Sequence, residues 1–482
     1  MSEPAIAREH IDVDAQKVIR HLVRNGYQAY LVGGCVRDLL LGRTPKDFDL
    51  ATSATPSEVR DLFRNCRIIG RRFRLAHVVF GRKIIETATF RANPREEEAE
   101  SGDGAPGELY IHRDNVFGTA EEDARRRDFT MNGLFYDVEP GQVIDYVGGL
   151  SDIKQRSVRT IGDPNIRFRE DPVRLLRAVK FAARLGFDIE DQTYRAMITH
   201  RADLQKSAVP RVLEEIYRLL RGGAAMESLV LLREVGLLSE LLPELAGRLY
   251  DRPQTLEPYL HLVDQGVAAG ETPSSGLLLV LLFAAELQPL FDEDAAAKVR
   301  DPVALIDAVI GPLCARLRVA RRDVERAKLL LLAQRRLFQI RKKGGKLPAS
   351  LAHREGFTEA LALHGLLYRV ARQSEGSAAE QVEQEISAWP LPRASLLGTH
   401  DGSGVAVEAA EDGPRERGGA EQGERSPRPR RRRRSSADAG GERSSAGPLA
   451  RPNLDDDEPV PDEDAVIAAF TAALGSRSAD DE

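Results

Sequence analysis

Two acidic residues separated by a single position, Asp47 and Asp49 in Lys46-Asp47-Phe48-Asp49-Leu50, form the pattern most suited to chemistry in this chain. If Phe48 to Ala51 begins a strand, positions i and i+2 face one side and the two carboxylates stand together. Such a pair repels unless a cation joins it. Mg²⁺ takes oxygen ligands and usually uses one or two carboxylates plus substrate phosphates. Ions held there activate an attacking hydroxyl and stabilise a leaving pyrophosphate. By itself the pattern equally describes two solvated acids at a strand end. Glu86, in Ile84-Ile85-Glu86-Thr87-Ala88, and Asp128 are both candidates for a third carboxylate, and the sequence does not decide between them.

About a dozen residues upstream lies Leu31-Val32-Gly33-Gly34-Cys35-Val36-Arg37-Asp38. It reads as strand, glycine turn, helix. Gly33 and Gly34 permit close backbone approach, and the free N–H groups of a helix start suit a triphosphate. Arg37 adds a charged contact. No Gly-Lys-Ser/Thr follows, so this is not a Walker loop. One helix between the turn and the aspartates is enough to bring the chain back beside its origin.

The elements that must position these residues read as an α/β unit. Residues 1 to about 25 form a lead-in helix. Tyr30-Leu31-Val32, Leu75 to Phe80 and Lys83 to Phe90 read as strands, the last two joined through Gly81-Arg82. A second hairpin runs over Gly133–Val138 and Gln142–Val147. Ala92 to Asn115, rich in Glu, Gly and Pro, reads as a mobile loop. From about Pro172 to Trp389 the pattern is short amphipathic helices. Residues 400 to 460 hold few large apolar groups and cannot fold alone. A last apolar stretch, Ala465 to Leu474, suits a helix formed on a partner.

The composition bounds the class. At 482 residues the chain has room for two or three domains. Its three cysteines, Cys35, Cys66 and Cys314, are too widely spaced for a zinc knuckle or a disulfide framework. The N-terminus lacks an apolar signal core, and Gly276 to Ala285 is too short to span a bilayer. The expected setting is cytoplasmic, with no membrane partner. The net charge of −6 hides a basic stripe at Arg60, Arg64, Arg67, Arg71, Arg72, Arg74 and Arg82 and a run at Arg430–Arg434. Acidic patches at Glu96–Glu98 and Asp455–Asp457 cancel them in the sum. A basic stripe still binds phosphates.

The stretch LVGGCVRDLLLGRTPKDFDLATSATP resembles the first motif of the class II polymerase-beta-like nucleotidyltransferases, the branch of bacterial poly(A) polymerases and CCA-adding tRNA enzymes. Arg126-Arg127-Asp128-Phe129-Thr130-Met131-Asn132 resembles its second motif. Asp145-Tyr146-Val147-Gly148-Gly149, with Asp152 and Arg159, resembles its hinge. Glu170-Asp171-Pro172-Val173-Arg174-Leu175-Leu176-Arg177 resembles its base-reading motif. The four stand in family order over residues 28 to 185.

The resemblance implies an α+β head with a mixed sheet and flanking helices, followed by an all-helical neck and body. The expected boundaries are head 1–150, neck 151–240, RNA-binding body 241–395 and disordered tail 396–482. The resemblance also implies roles. Asp47 and Asp49 hold Mg²⁺ or Mn²⁺, and Asp128 joins them as catalytic. Gly33, Gly34, Arg37, Arg127, Asn132, Asp171, Arg174 and Arg177 bind the nucleotide. Lys180 departs from the family, which often has arginine there, and loses the fork geometry.

Asp171 can accept from an exocyclic amine while Arg174 donates to the adjacent ring nitrogen. Adenine and cytosine present that pair; guanine and uracil present the reverse. Asp171-Pro172 is also a good helix start, with Asp at the N-cap and Pro at N1. Ile68-Ile69-Gly70-Arg71-Arg72-Phe73-Arg74-Leu75-Ala76-His77-Val78 resembles a stretch of the bacterial poly(A) polymerases, with Arg71, Arg72 and Arg74 expected to hold RNA phosphates. The expected reaction is therefore template-independent addition of AMP from ATP to RNA 3′ ends. The alternative is CCA addition to tRNA. RNA-decay or RNA-chaperone proteins are candidate partners.

Overall fold

The computed structural model describes residues 6–70, 74–92, 116–291, 295, 298–343 and 356–398. In the head, a seven-stranded mixed sheet runs in the order β3-β4-β5-β2-β1-β6-β7. The strands are β1 (Ala29–Val32), β2 (Leu50–Thr52), β3 (Cys66–Ile69), β4 (Leu75–Phe80), β5 (Lys83–Thr89), β6 (Leu134–Asp137) and β7 (Gln142–Asp145). β2 and β5 pair in parallel; all other neighbours are antiparallel.

Local chemistry explains the helices that brace this sheet. In α1 (Val13–Arg24), Asp12 caps the N-terminus by accepting from the N–H groups of Asp14 and Ala15. Ala15, Val18, Ile19 and Leu22 recur at helical spacing, and all four are buried against the sheet. α2 (Gly34–Leu40) follows the glycine turn. α3 (Pro56–Leu62) starts with a capping box between Thr55 and Glu58, and α4 (Ala120–Arg126) with one between Thr119 and Glu122. The sequence reading assigned neither helix, nor edge strand β3.

The helical part begins with α5 (Gly149–Gln155), α6 (Pro164–Glu170), α7 (Val173–Leu185), α8 (Asp191–His200) and α9 (Val209–Leu220). It is not all helix as expected. β8 (Ser157–Val158) and β9 (Asp188–Ile189) pair in parallel. The left-handed Gly186 (φ 65°) ends α7 and turns the chain back to make that pairing. Helices then continue from Ala225–Glu234 to Ala379–Ser387. The apolar run Gly276–Ala285 lies largely in the helix Ser275–Leu282, which is buried from Gly276 onward. Among the described residues no helix is long and apolar enough to cross a membrane. One apolar core runs from Phe129 and α7 into the helical body, and a second fills the space between α1, α2 and the sheet.

Candidate active site

The turn after β1 is specified by backbone geometry. Gly33 has φ 73° and ψ −129°, and its N–H donates to the Leu134 carbonyl at 3.0 Å. A side chain there would also place a Cβ 2.9 Å from Nη1 of Arg127. Gly34 is less constrained: the nearest atom to an added Cβ is Nη2 of Arg37, at 3.6 Å.

Arg37 was expected to reach a triphosphate. Instead it is buried, with Nη1 donating to Oδ1 of Asn132 at 2.6 Å and Nε to Oδ1 of Asp38 at 2.9 Å. Its guanidinium also lies 5.1 Å from the centre of the Phe181 ring. It borders the cleft but ties the glycine turn to the second motif. Arg127 is similarly braced, since Nε and Nη2 donate to Oδ2 of Asp123 at 3.2 and 2.9 Å.

Asp47 and Asp49 are not on a strand. They lie in the segment that enters β2, whose first residue is Leu50. The parallel register pairs Leu50 with Thr87, so Asp49 lies beside Glu86 at the neighbouring position. Burial pushes the Asp49 carboxyl up to about 6, and the charges of Glu86 and Asp47 add to this while Arg127 opposes it. That excess of negative charge is what a bound cation would relieve. Among the described residues no group of three or more His, Cys, Asp or Glu side chains is gathered as a metal site. The donor set fits an ion held by two carboxylates and completed by phosphate oxygens.

Asp128 lines the same cleft as Asp49, but its carboxylate is engaged by other partners. Its Oδ2 accepts from Nε of Arg177 at 2.7 Å, and its Oδ1 from Nδ2 of Asn132 at 3.1 Å and from the Phe129 N–H at 2.8 Å. Burial raises its pKa, but the Arg177 charge and these hydrogen bonds outweigh burial and hold it at about 2. Of the two sequence candidates, it is Glu86 whose charge acts on Asp49. Arg177, expected to meet the nucleotide, spends its charge on Asp128 and lies 3.7 Å from Oε1 of Glu215.

The N-cap reading of Asp171 does not hold. Asp171 terminates α6, Pro172 occupies the cap of α7, and no side chain caps that helix. Oδ2 of Asp171 accepts from Nη2 of Arg211 at 2.7 Å, whereas Oδ1 is buried without a hydrogen-bond partner. Arg174 is buried beside it, with Nη1 donating to the Arg167 carbonyl and to Oε2 of Glu170 at 2.8 and 3.0 Å. Lys180 is paired with Oε2 of Glu215 at 2.6 Å. Burial and the Arg177 charge lower its pKa to about 8 against the pull of Glu215.

A cleft of about 790 Å³ collects these parts. One wall, from the head, carries Gly33, Gly34, Asp49, Arg127 and Asp128, and the other, from the end of α6 and from α7, carries Asp171, Arg174, Arg177 and Phe181. A second cleft, of about 1970 Å³, shares Asp49, Phe181, Glu214 and Arg218 with it and extends past Asp47 and Glu86 to Arg322 and Leu329 of the body. Arg74 has a positive φ of 35°, and Arg71 and Arg72 lie outside the described residues.

The sequence reading missed Arg167, Arg211 and Glu215. Arg167 donates to the carbonyls of Arg126 and Arg127 at 2.7 and 2.6 Å, clamping α6 to the second motif. Glu215 receives Arg177, Lys180 and Arg218. A buried glutamate in an amphipathic helix was the available signal for it.

Residues 29–159 match the poly A polymerase head domain, and residues 186–249 match the probable RNA and SrmB- binding site of polymerase A. The chain is 51% identical over 241 residues to poly(A) polymerase I of Salmonella typhi, covering 50% of this chain and 52% of that protein. To the CCA-adding enzyme of Geobacillus thermodenitrificans it is 42% identical over 231 residues, 48% of this chain and 54% of that one. The chain thus spans about half the length of the curated relatives it matches. Among solved structures, the Bacillus stearothermophilus CCA-adding enzyme in complex with CTP aligns with a TM-score of 0.54 at 29% identity, covering 79% of this chain and 84% of that one.

Proposed function

From the premise that the chain carries a poly A polymerase head domain followed by that family's RNA-binding segment, we propose that it adds AMP from ATP to RNA 3′ ends without a template and releases pyrophosphate. The observation that carries this reading is the meeting in one cleft of Asp49 and the glycine turn with Asp171 and Arg174. A triphosphate on the first wall presents its base to the second.

Asp47 and Asp49 would hold Mg²⁺ or Mn²⁺, which lowers the pKa of the attacking 3′-hydroxyl and neutralises charge on the leaving oxygen. The protein's own part is positioning, as in other phosphoryl transfers. Gly33 lets the backbone approach the phosphates. Arg127, braced by Asp123, supplies positive charge beside them. Arg37, Asn132, Asp128 and Arg177 form a hydrogen-bonded chain that fixes the two walls relative to each other. Asp171 accepts from the N6 amine of adenine, and Arg174 stands beside it for the ring nitrogen. On this reading the head extends over residues 1–150, the neck over 151–240 and the body over 241–395, and the segment matched as a probable RNA and SrmB- binding site, 186–249, falls mostly in the neck. The same reading includes action on many transcripts in the cytoplasm, in mRNA processing and decay.

CCA addition to tRNA is the second reading, favoured by the likeness to the CTP-bound CCA-adding enzyme. Incubation with tRNA lacking its CCA end, and separately with an unrelated RNA, distinguishes the two. Long A tails on both RNAs from ATP alone support poly(A) addition. Efficient incorporation of two C residues from CTP, with no A tail on the unrelated RNA, overturns it.

A further inference from the structure

The outer face of β5 carries more than Glu86. Ile84 lies two positions earlier, hence on the same face and about 7 Å along the strand. Ile85, between them, points into the head core, but Ile84 is 49% exposed. The register sets Ile84 opposite Val79 and Glu86 opposite His77 on β4. Ile84 borders the larger cleft together with Asp47, Asp49 and Glu86. From the body, Leu329 in the helix Arg321–Lys343 borders the same cleft and is also 49% exposed.

A lone exposed isoleucine means nothing. Here two aliphatic side chains stand in one cleft that is otherwise charged, with Lys46, Arg82, Arg218 and Arg221 among its lining. A polynucleotide offers both chemistries at the spacing of one residue: flat apolar base faces and anionic phosphates. The nucleotidyl-transfer reading, on which this inference rests, requires the RNA 3′-hydroxyl to reach Asp47 and Asp49. Its terminal base then falls within one nucleotide of those carboxylates. Ile84 is the exposed apolar group of the head that shares a strand face with Glu86 and a cleft with the aspartates.

We propose that Ile84 is the platform for the 3′-terminal base of the RNA, and that Leu329 supports a preceding base from the opposite side. Ile84 is thus a positioning residue for the primer. It contributes nothing to the triphosphate, which lies in the smaller cleft.

The test uses the full chain and an RNA ending in 4-thiouridine, irradiated without nucleotide. Cross-linking is expected in the tryptic peptide 84–91, and a map confined to other segments overturns the platform. In steady-state assays, Ile84→Asp is expected to raise the KM for RNA about tenfold, corresponding to roughly 1.4 kcal/mol, while the KM for ATP stays within about twofold. Ile84→Met should retain near-normal RNA affinity. Val23→Asp, at an aliphatic residue of α1 that is 42% exposed and borders neither cleft, should leave the KM for RNA unchanged. An Ile84→Asp variant with normal RNA affinity, or with equal effects on RNA and ATP, overturns the proposal. A wild-type chain that incorporates no nucleotide sinks the nucleotidyl-transfer reading. A cross-link outside β5 with incorporation intact sinks the platform alone.

Discussion

Arg177 reaches out of α7 to place its Nε 2.7 Å from Oδ2 of Asp128, joining that helix to the head segment 126–132. Both side chains are largely removed from water, and Asn132 and the Phe129 N–H complete the carboxylate's hydrogen bonds.

Breaking this pair from one side leaves the other charge buried. Arg177→Met is therefore expected to destabilise the chain by about 3–5 kcal/mol. The double variant Asp128→Asn with Arg177→Met should recover much of that loss. Denaturant unfolding of the two singles and the double checks the prediction, and strictly additive losses would contradict it.

The same pair has a pH signature. The folded Asp128 carboxyl, held at about 2, lies below its ordinary value of 3.8. A depressed carboxyl contributes stability above its unfolded pKa and loses it as pH falls through the folded one. Between about pH 4 and pH 2 the wild type should therefore lose about 2 kcal/mol that Asp128→Asn does not lose. Unfolding free energies measured across that window test the sign.

Gly33 and Gly34 should respond differently to alanine. Gly33→Ala meets both a positive φ and Nη1 of Arg127, and is expected to cost at least about 1 kcal/mol and raise the KM for ATP. Gly34→Ala meets only ordinary contact at 3.6 Å and should change stability by less than about 1 kcal/mol. Thermal melting with ATP titration compares them.

Asp47→Ala and Asp49→Ala should each lower AMP incorporation by about 10³-fold or more, the scale on which a phosphoryl-transfer site loses a charge-stabilising part. Neither should lower the melting temperature, because each removes one of the like charges crowded around Asp49. Chelation of divalent ions should abolish incorporation in the wild type. Retained activity in either variant would remove the proposed metal site.

Asp171→Ala is expected to raise the KM for ATP about tenfold or more, because on the proposed reading Asp171, which lines the smaller cleft, is the acceptor for the base amine. Its ion pair with Arg211 is half exposed and adds little stability, so the melting temperature should shift only slightly. Discrimination against GTP should weaken as well. Unchanged nucleotide preference would exclude Asp171 from base reading.

The parts of this site that were legible in the sequence are local ones. Strand β1, the Gly33 turn and α2 form one continuous signal, and the hairpins through Gly81 and Gly141 announce themselves by glycine at a turn. Thr55-Pro56-Ser57-Glu58 held a capping box that was readable but passed over. Edge strand β3 was hidden because four residues with alternating exposure, set among arginines, resemble a basic loop. The ionic partners were out of reach for a different reason. Asp128 and Arg177 lie 49 positions apart, and Asp171 and Arg211 lie 40 apart. No periodicity in one helix states which distant charge will close upon it. For that reason the sequence, which marked Arg37 and Arg177 as ligands of a nucleotide, did not show that each also pairs with a distant side chain, Asn132 and Asp128.

Strand β1 is interior to the sheet, between β2 and β6, and its partner Tyr136 on β6 follows Leu31 by roughly a hundred residues. During synthesis, the β1–β2 edge is available early, while the opposite edge of β1 stays bare until β6 has left the ribosome. Closing so long a loop delays folding more than it weakens the product, since loop-closure entropy grows only logarithmically with length. The nascent head is thus exposed to strand-pairing errors for most of its own translation, and a chaperone that covers this edge would act in the interval before β6 emerges.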